Sequence, residues 1–316
     1  MTKAEQWNPT LEKILDTCSI PVLQEMAWAI GSSPLLDQPF ADRSILWRGD
    51  HHGEALRTFS NHMADWSAIS SLESKILGDG HMRLGRRFEC LVNWWFEAAP
   101  QWEVLAKNLV IQGAERTLGE LDLILKNRED EQTLHLELAC KFYLQTNGSR
   151  SWQYWIGIDP KDRLDLKFEK LEQQLLLEEK SETKAILQEK HVQIDRRASW
   201  IKGWFFVHFR DALRAKLPLH AHDSASAGWW CKKSEWDSIW NTQNPWILIP
   251  SEHWLRIRHD ASAAVLISDT DQVHEWVETK RHAMVAQVKW HNNQWLEISR
   301  GIIVKDHWPF LQTHSI

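Results

Sequence analysis

Two successive strand patterns in the middle of the chain each carry one carboxylate where a buried strand would place an apolar side chain. In Gly119-Glu120-Leu121-Asp122-Leu123-Ile124-Leu125 the period of two puts Leu121, Leu123 and Leu125 on one face and Glu120, Asp122 and Ile124 on the other. After the charged turn Asn127 to Gln132, Thr133 to Leu144 forms the next strand, with His135, Glu137, Ala139 and Lys141 sharing a face. An acidic residue in mid-strand is costly unless it is paired, hydrated or bound to a cation. If the two strands pair, Asp122 and Glu137 point into one site, where a divalent cation relieves their repulsion. Magnesium suits such a site because it takes one or two carboxylates, keeps several waters and accepts phosphate oxygens. The plainer alternative is a pair of strand-edge carboxylates facing solvent or arginine. Lys141 lies on the face of Glu137, about 13 Å further along the strand, and its long side chain folds back partway. His135 on that face reads as a hydrogen-bonding neighbour of Glu137 rather than a ligand.

The flanking segments supply a frame for these strands. Residues 1–78 read as a helical N-terminal extension. Within it Pro21 to Gly31 has a first-turn proline, a closing glycine and one apolar face at Val22, Leu23, Met26, Ala27 and Ile30, and a second helix is expected over residues 54 to 77. Residues 79–210 read as one helix, three strands, one long helix and one strand. The first helix carries the stripe Leu84, Phe88, Leu91, Val92 and Trp95, and Trp102 to Val110 is the first strand. Asp159-Pro160 is expected to cap the long helix, whose Leu164, Phe168, Leu171 and Leu175 face inward beside a stripe of Arg163, Lys167, Lys170 and Gln174. Ser199 to Phe209 suits a buried strand. Residues 211–316 are Trp-rich and read as an elaboration packed on the core, with a helix near 271 to 285 and a hairpin across His291-Asn292-Asn293.

Composition removes several function classes. Lys+Arg 37 against Asp+Glu 43 leaves a net charge of −6, which argues against coating nucleic acid through a global positive field but leaves a local basic groove open. Cys18, Cys90, Cys140 and Cys231 form no CxxC pair, which fits a reducing compartment rather than a disulfide framework or zinc knuckle. No apolar run approaches the roughly 18 residues of a membrane span, so the cytoplasm is the expected location. His220, His222 and Cys231 have no recognised ligand spacing, and no GxSxG nucleophile elbow is present.

Taken together, Glu89 in the first helix, Gly119-Glu120-Leu121-Asp122 and Glu137 followed by a lysine resemble the PD-(D/E)XK nuclease superfamily core. More closely, Ala27 to Leu36 (AWAIGSSPLL), Leu84-Gly85-Arg86-Arg87-Phe88-Glu89, Glu120-Leu121-Asp122 and His135 to Phe142 (HLELACKF) resemble the bacterial domain of unknown function family 1853. The resemblance implies an α/β fold with a restriction-endonuclease-like core, a small mixed sheet flanked by helices. It also implies Mg²⁺ or Mn²⁺ held by Glu89, Asp122, Glu137 and the carbonyl of Leu138, and phosphodiester hydrolysis of DNA or RNA. The superfamily lysine would fall at position 139, where this chain has Ala139. Lys141, displaced by one strand period, and Lys167 are therefore the rival candidates. Arg86, Arg87, Arg163, Lys167 and Lys170 are candidate phosphate contacts, and Trp152, Tyr154 and Trp155 are candidates for stacking on unpaired bases. The alternative from another class is a catalytically inactive nuclease fold serving as a nucleic-acid-binding or protein-interaction module.

Overall fold

The computed structural model describes residues 9–18, 20–37, 44–46, 72, 76, 82–260 and 264–309. Two helices open it, α1 (Pro9–Thr17) and α2 (Pro21–Gly31). Pro21 starts α2 as expected, but every residue from Val22 to Gly31 is buried, Gln24 and Glu25 included, so the helix has no solvent face. A short strand that the helical pattern did not announce, β1 (Ser44–Leu46), follows. The helix expected over 54 to 77 lies outside the described residues except for Leu72 and Ile76, which are helical.

The central segment runs α3 (Leu84–Ala98), β2 (Trp102–Gln112), β3 (Thr117–Asn127), β4 (Thr133–Gln145), the two-residue β5 (Trp155–Ile156), α4 (Leu164–Leu175), α5 (Ser181–Glu189) and β6 (Arg196–His208). The single long helix of the sequence pattern is two helices separated by the turn Leu177–Glu179. It also starts later than Asp159-Pro160. Those residues form a turn in which the Asp162 amide donates to the Asp159 carbonyl, and Arg163 stands before the first helical residue.

The sheet is not small. Beyond β6 come β7 (Ala227–Lys232), β8 (Trp246–Leu248), β9 (Arg258–Asp260), β10 (Val265–Leu266), α6 (Thr270–Lys280), β11 (His282–His291) and β12 (Gln294–Val304). Among the described residues twelve strands form one mixed sheet with main order β10-β8-β11-β12-β7-β6-β4-β3-β2. The C-terminal segment extends the central sheet edgewise, through parallel pairing of β7 with β6 and of β12 with β7, and also sends Trp254, Leu255 and Ile257 into the core shared with β4. The expected hairpin joins β11 to β12, with Asn292 and Asn293 in the left-handed region that such a turn demands. The helix expected to reach residue 285 stops at Lys280, because the following residues pair as β11.

Strand β4 is central and covered on both faces. Its Leu134, Leu136, Leu138, Cys140, Phe142 and Leu144 join the larger core beneath α1, α2 and α3, with Trp200 and Phe206 of β6. The opposite face carries Ala139 and Tyr143 against Leu164, Phe168 and Leu171 of α4. Full burial of each such apolar side chain contributes about 1.5–3 kcal/mol, so α4 is fixed over the face that carries His135, Glu137 and Lys141.

One residue of β6 controls how closely β4 can lie. Gly203, opposite Lys141 in the ladder, has φ +145, and a Cβ there would stand 1.7 Å from the Lys141 carbonyl oxygen. Gly203→Ala is therefore expected to destabilise the protein by more than about 3 kcal/mol. Gly85→Ala in α3, whose new Cβ meets nothing within 4 Å, should gain about 0.5–1 kcal/mol. Urea denaturation measures both, and a Gly203→Ala protein as stable as the parent would refute the packing assigned to this position.

Candidate active site

The ladder between β3 and β4 ends at Leu123 opposite Leu136. The next pair in that register would be Asp122 and Glu137, and there the two strands part. Strand β3 stays with β2 through Leu121 and Glu120, while β4 stays with β6. Side chains take over the hydrogen bonds that the backbone gives up. The Asp122 amide donates to Glu137 Oε1 at 3.3 Å, and the Leu138 amide donates to Asp122 Oδ2 at 2.8 Å. The two carboxylates predicted from the strand patterns are thus brought together at the fork. Among the described residues, Asp122 Oδ1 and Glu137 Oε2 accept no hydrogen bond, so each carboxylate keeps one oxygen available.

From the fork a cleft of about 430 Å³ follows the edge of β4 from Leu138 to Phe142. On that side, among the described residues, β4 is paired only over Thr133–Leu136 with β3 and at Leu144–Gln145 with β5. The start of α3 (Leu84, Gly85, Phe88, Glu89) forms one wall, and the loop at Gly157–Asp162 with Lys167 of α4 forms the other. Asp122 and Glu137 stand just behind the cleft lining, joined to it through Leu138, Glu89 and Lys167.

The charges of the fork are unevenly held. Burial, then repulsion from Glu137, pushes the Asp122 carboxyl up to about 8, against the pull of the Leu138 amide and Lys167. Burial likewise raises the Glu89 carboxyl, which Arg86, at 3.6 Å, and Lys167 oppose. Glu137, 1% exposed, accepts from or pairs with His135, whose Nε2 lies 2.8 Å from Oε1. Burial disfavours the imidazolium, but Glu137 and Glu178 outweigh it and raise His135 to about 9.

Of the two candidate lysines, Lys167 belongs to the carboxylates and Lys141 does not. Lys167 is held below its ordinary value by burial and by Lys141, while Asp122 and Glu137 pull it upward. Lys141 lines the same cleft, but its Nζ lies 2.5 Å from Asp162 Oδ2. Asp162 is a site residue that no local pattern in the sequence marks. Trp254 and Phe142, stacked at 5.3 Å, also line the cleft, and nothing local in the sequence marks Trp254.

The remaining candidates separate by exposure. Arg86 and Lys170 are exposed. Arg87 is not a surface contact: Nε and Nη2 donate to the fully buried Glu25, which Arg256 also grips, so its charge is spent inside the protein. Arg163 pairs with Asp165 at the start of α4. Trp155 is fully buried against Phe205 and is withdrawn as a stacking platform, and Trp152 packs on Phe168 while its Nε1 donates to the Leu219 carbonyl. Among the described residues no three His, Cys, Asp or Glu side chains converge closely enough to enclose a metal ion by themselves. Glu89 acts on Asp122 electrostatically without completing such a set. No helix among the described residues is long and apolar enough to cross a membrane.

Comparison with known proteins adds one finding. A family model described as Domain of unknown function (DUF1853) matches residues 24–304, from α2 to the end of β12. No curated protein and no solved structure matches the chain.

The raised carboxyl of Asp122 predicts a pH signature. Above about pH 4 the unfolded chain releases this proton, whereas the folded protein keeps it until about pH 8. Its contribution to stability is full below pH 4 and is lost as pH rises to 8. His135 adds a second loss between its ordinary 6.5 and about 9. Asp122→Asn removes only the first, so in EDTA the variant should match the parent near pH 4 and become progressively more stable than it up to pH 8. Denaturant midpoints across this range check it. A variant destabilised by about 3–5 kcal/mol at pH 7 would mark Asp122 as a structural ion-pair partner instead.

Proposed function

The chain belongs to the family described as Domain of unknown function (DUF1853), and for this member we propose a divalent-cation-dependent nuclease that hydrolyses phosphodiester bonds of DNA or RNA. The observation that carries the reading is the fork of β3 and β4, which sets two carboxylates face to face, each with one free oxygen, beside a lysine on a helix. The order α3-β2-β3-β4-α4-β6, an antiparallel meander with β6 parallel to β4, supports a restriction-endonuclease-like core of the PD-(D/E)XK kind within the larger sheet.

The donor set fits Mg²⁺ or Mn²⁺. Hard carboxylate oxygens suit these ions, and a carboxyl pushed up to about 8 by burial and a neighbouring carboxylate is one that a cation would discharge. Asp122 and Glu137 would hold the ion, and Glu89, whose charge acts on Asp122, would add a third negative charge to its surroundings. A bound cation supplies polarisation of a phosphoryl oxygen and a lowered water pKa. The protein's own part is positional. Lys167, held below its ordinary value mainly by burial, offers a cation to a phosphate entering the cleft and to the charge that develops there. Arg86 and Lys170, both exposed, offer phosphate contacts on either side. Lys141 holds the Gly157–Asp162 loop to β4 through Asp162 and so shapes the cleft wall. We place the activity in the cytoplasm, which four free, buried cysteines support.

The test is Mn²⁺- or Mg²⁺-dependent cleavage of a mixed panel of single- and double-stranded DNA and RNA. Asp122→Ala and Glu137→Ala should each lower the rate by far more than about tenfold, the equivalent of roughly 1.4 kcal/mol in barrier. Lys167→Gln should lower it by about 10²–10³-fold, with Lys141→Gln affecting it less. A cleaving parent whose Asp122→Ala or Glu137→Ala variant stays within tenfold would overturn the assignment. A parent that binds nucleic acid with no cleavage under any divalent cation would point to the inactive binding module.

A further inference from the structure

The side of Glu137 that faces away from Asp122 is built more elaborately than a strand carboxylate needs. Arg197 lies opposite His135 in the β4–β6 ladder, and one residue of the turn after α4, Glu178, reaches both. Glu178 Oε1 is 2.8 Å from Arg197, and Oε2 is 3.4 Å from His135 Nδ1, an ion-pair separation long for a hydrogen bond. His135 Nε2 then meets Glu137 Oε1 at 2.8 Å. The side chains of His135, Glu137, Glu178 and Arg197 are all about nine-tenths buried or more, with side-chain exposures of 0%, 1%, 11% and 9%.

From this geometry we infer that His135 is a positioning residue, held by Glu178, which Arg197 in turn grips, and that it fixes Glu137 so that Oε2 is presented to a divalent cation. The inference rests on the cation reading above. Both hydrogen bonds accepted by Glu137 fall on Oε1, one from His135 and one from the Asp122 amide at 3.3 Å. Without His135 only the longer bond remains, and the carboxylate is free to turn. Hydrogen-bonding partners behind a metal ligand commonly set affinity by about 10–100-fold. Here that control extends to Glu178, which belongs to the turn Leu177–Glu179 and touches neither Asp122 nor Glu137.

Calorimetric titration of Mn²⁺ into the full-length protein tests it, with melting curves in EDTA for each variant. Glu178→Gln and His135→Gln should each weaken Mn²⁺ binding about tenfold or more, and His135→Leu, which offers Glu137 no donor, should weaken it further than His135→Gln. The double variant Glu178→Gln/His135→Gln should bind no more weakly than the worse single, because the two act through one chain. If the parent binds Mn²⁺ and folded Glu178→Gln and His135→Leu bind it within about twofold of the parent, the positioning role is overturned while the cation reading stands. If the parent itself binds neither Mn²⁺ nor Mg²⁺, the cation reading falls and this role with it. Should His135→Leu show no melting transition, Glu178→Gln decides alone.

Discussion

Everything around the candidate site depends on two hydrogen bonds made at the point where the β3–β4 ladder stops. Buried backbone amides must be satisfied, and when two strands diverge the last groups on each side lose their partners. Here the carboxylates of Asp122 and Glu137 accept from the Leu138 and Asp122 amides, so both amides are satisfied by side chains. The same bonds fix one oxygen of each carboxylate and leave the other without a hydrogen bond among the described residues. Structure and candidate chemistry therefore share atoms. A neutral amide at position 122 keeps an acceptor for the Leu138 amide, whereas alanine there removes it along with the charge.

The meeting of the two carboxylates was legible in the sequence because it is written in a local pattern, whereas the parting of the strands there was not. A period of two needs only neighbouring residues, and Asp122 and Glu137 fall on the faces opposite the leucines in strands joined by a short charged turn. Helix α2, with Pro21 and Gly31 at its ends, and the Asn292-Asn293 hairpin were readable for the same reason. The extent of the sheet was not. The pairing of β12 with β7 and of β8 with β11 joins segments far apart in sequence, and short strands such as β8 and β10 carry too few residues to show a period.

Charge partners were the least legible part. Arg87 and Lys170 look alike in sequence, yet one is spent on Glu25 inside the protein and the other faces solvent. The partner of Arg87 lies 62 positions away, on a helix in which Glu25 falls outside the apolar face of the sequence pattern yet is fully buried. Two guanidiniums on one buried carboxylate tie α2 to α3 and to the segment after β8, and removal of Glu25 would strand both, a loss of about 3–5 kcal/mol for such a pair. Gly203 did leave a signal, since a glycine inside an apolar strand marks a close backbone approach. Its partner, the backbone at Lys141, required the register of β4 against β6.

The placement of the lysine follows from this architecture. On β4 the position two beyond Glu137 is Ala139, which packs beneath α4 with Tyr143, Leu164 and Phe168. A lysine there would have to bury its stem in that apolar contact or push α4 away. The next position on the same face, Lys141, is far enough along the strand to meet the loop before α4, and Asp162 takes its charge. The cation that acts on Asp122 and Glu137 comes instead from α4 itself, one residue before Phe168. Phe168 and Leu171 seat α4 in the core, so apolar packing holds the helix that carries Lys167 beside the two carboxylates. The site then balances without a bound ion: Asp122 keeps its proton to about pH 8, His135 carries a proton beside Glu137, and Lys167 faces both carboxylates. A fork held in this way keeps Asp122 protonated at neutral pH, and that proton is the one the proposed cation would displace.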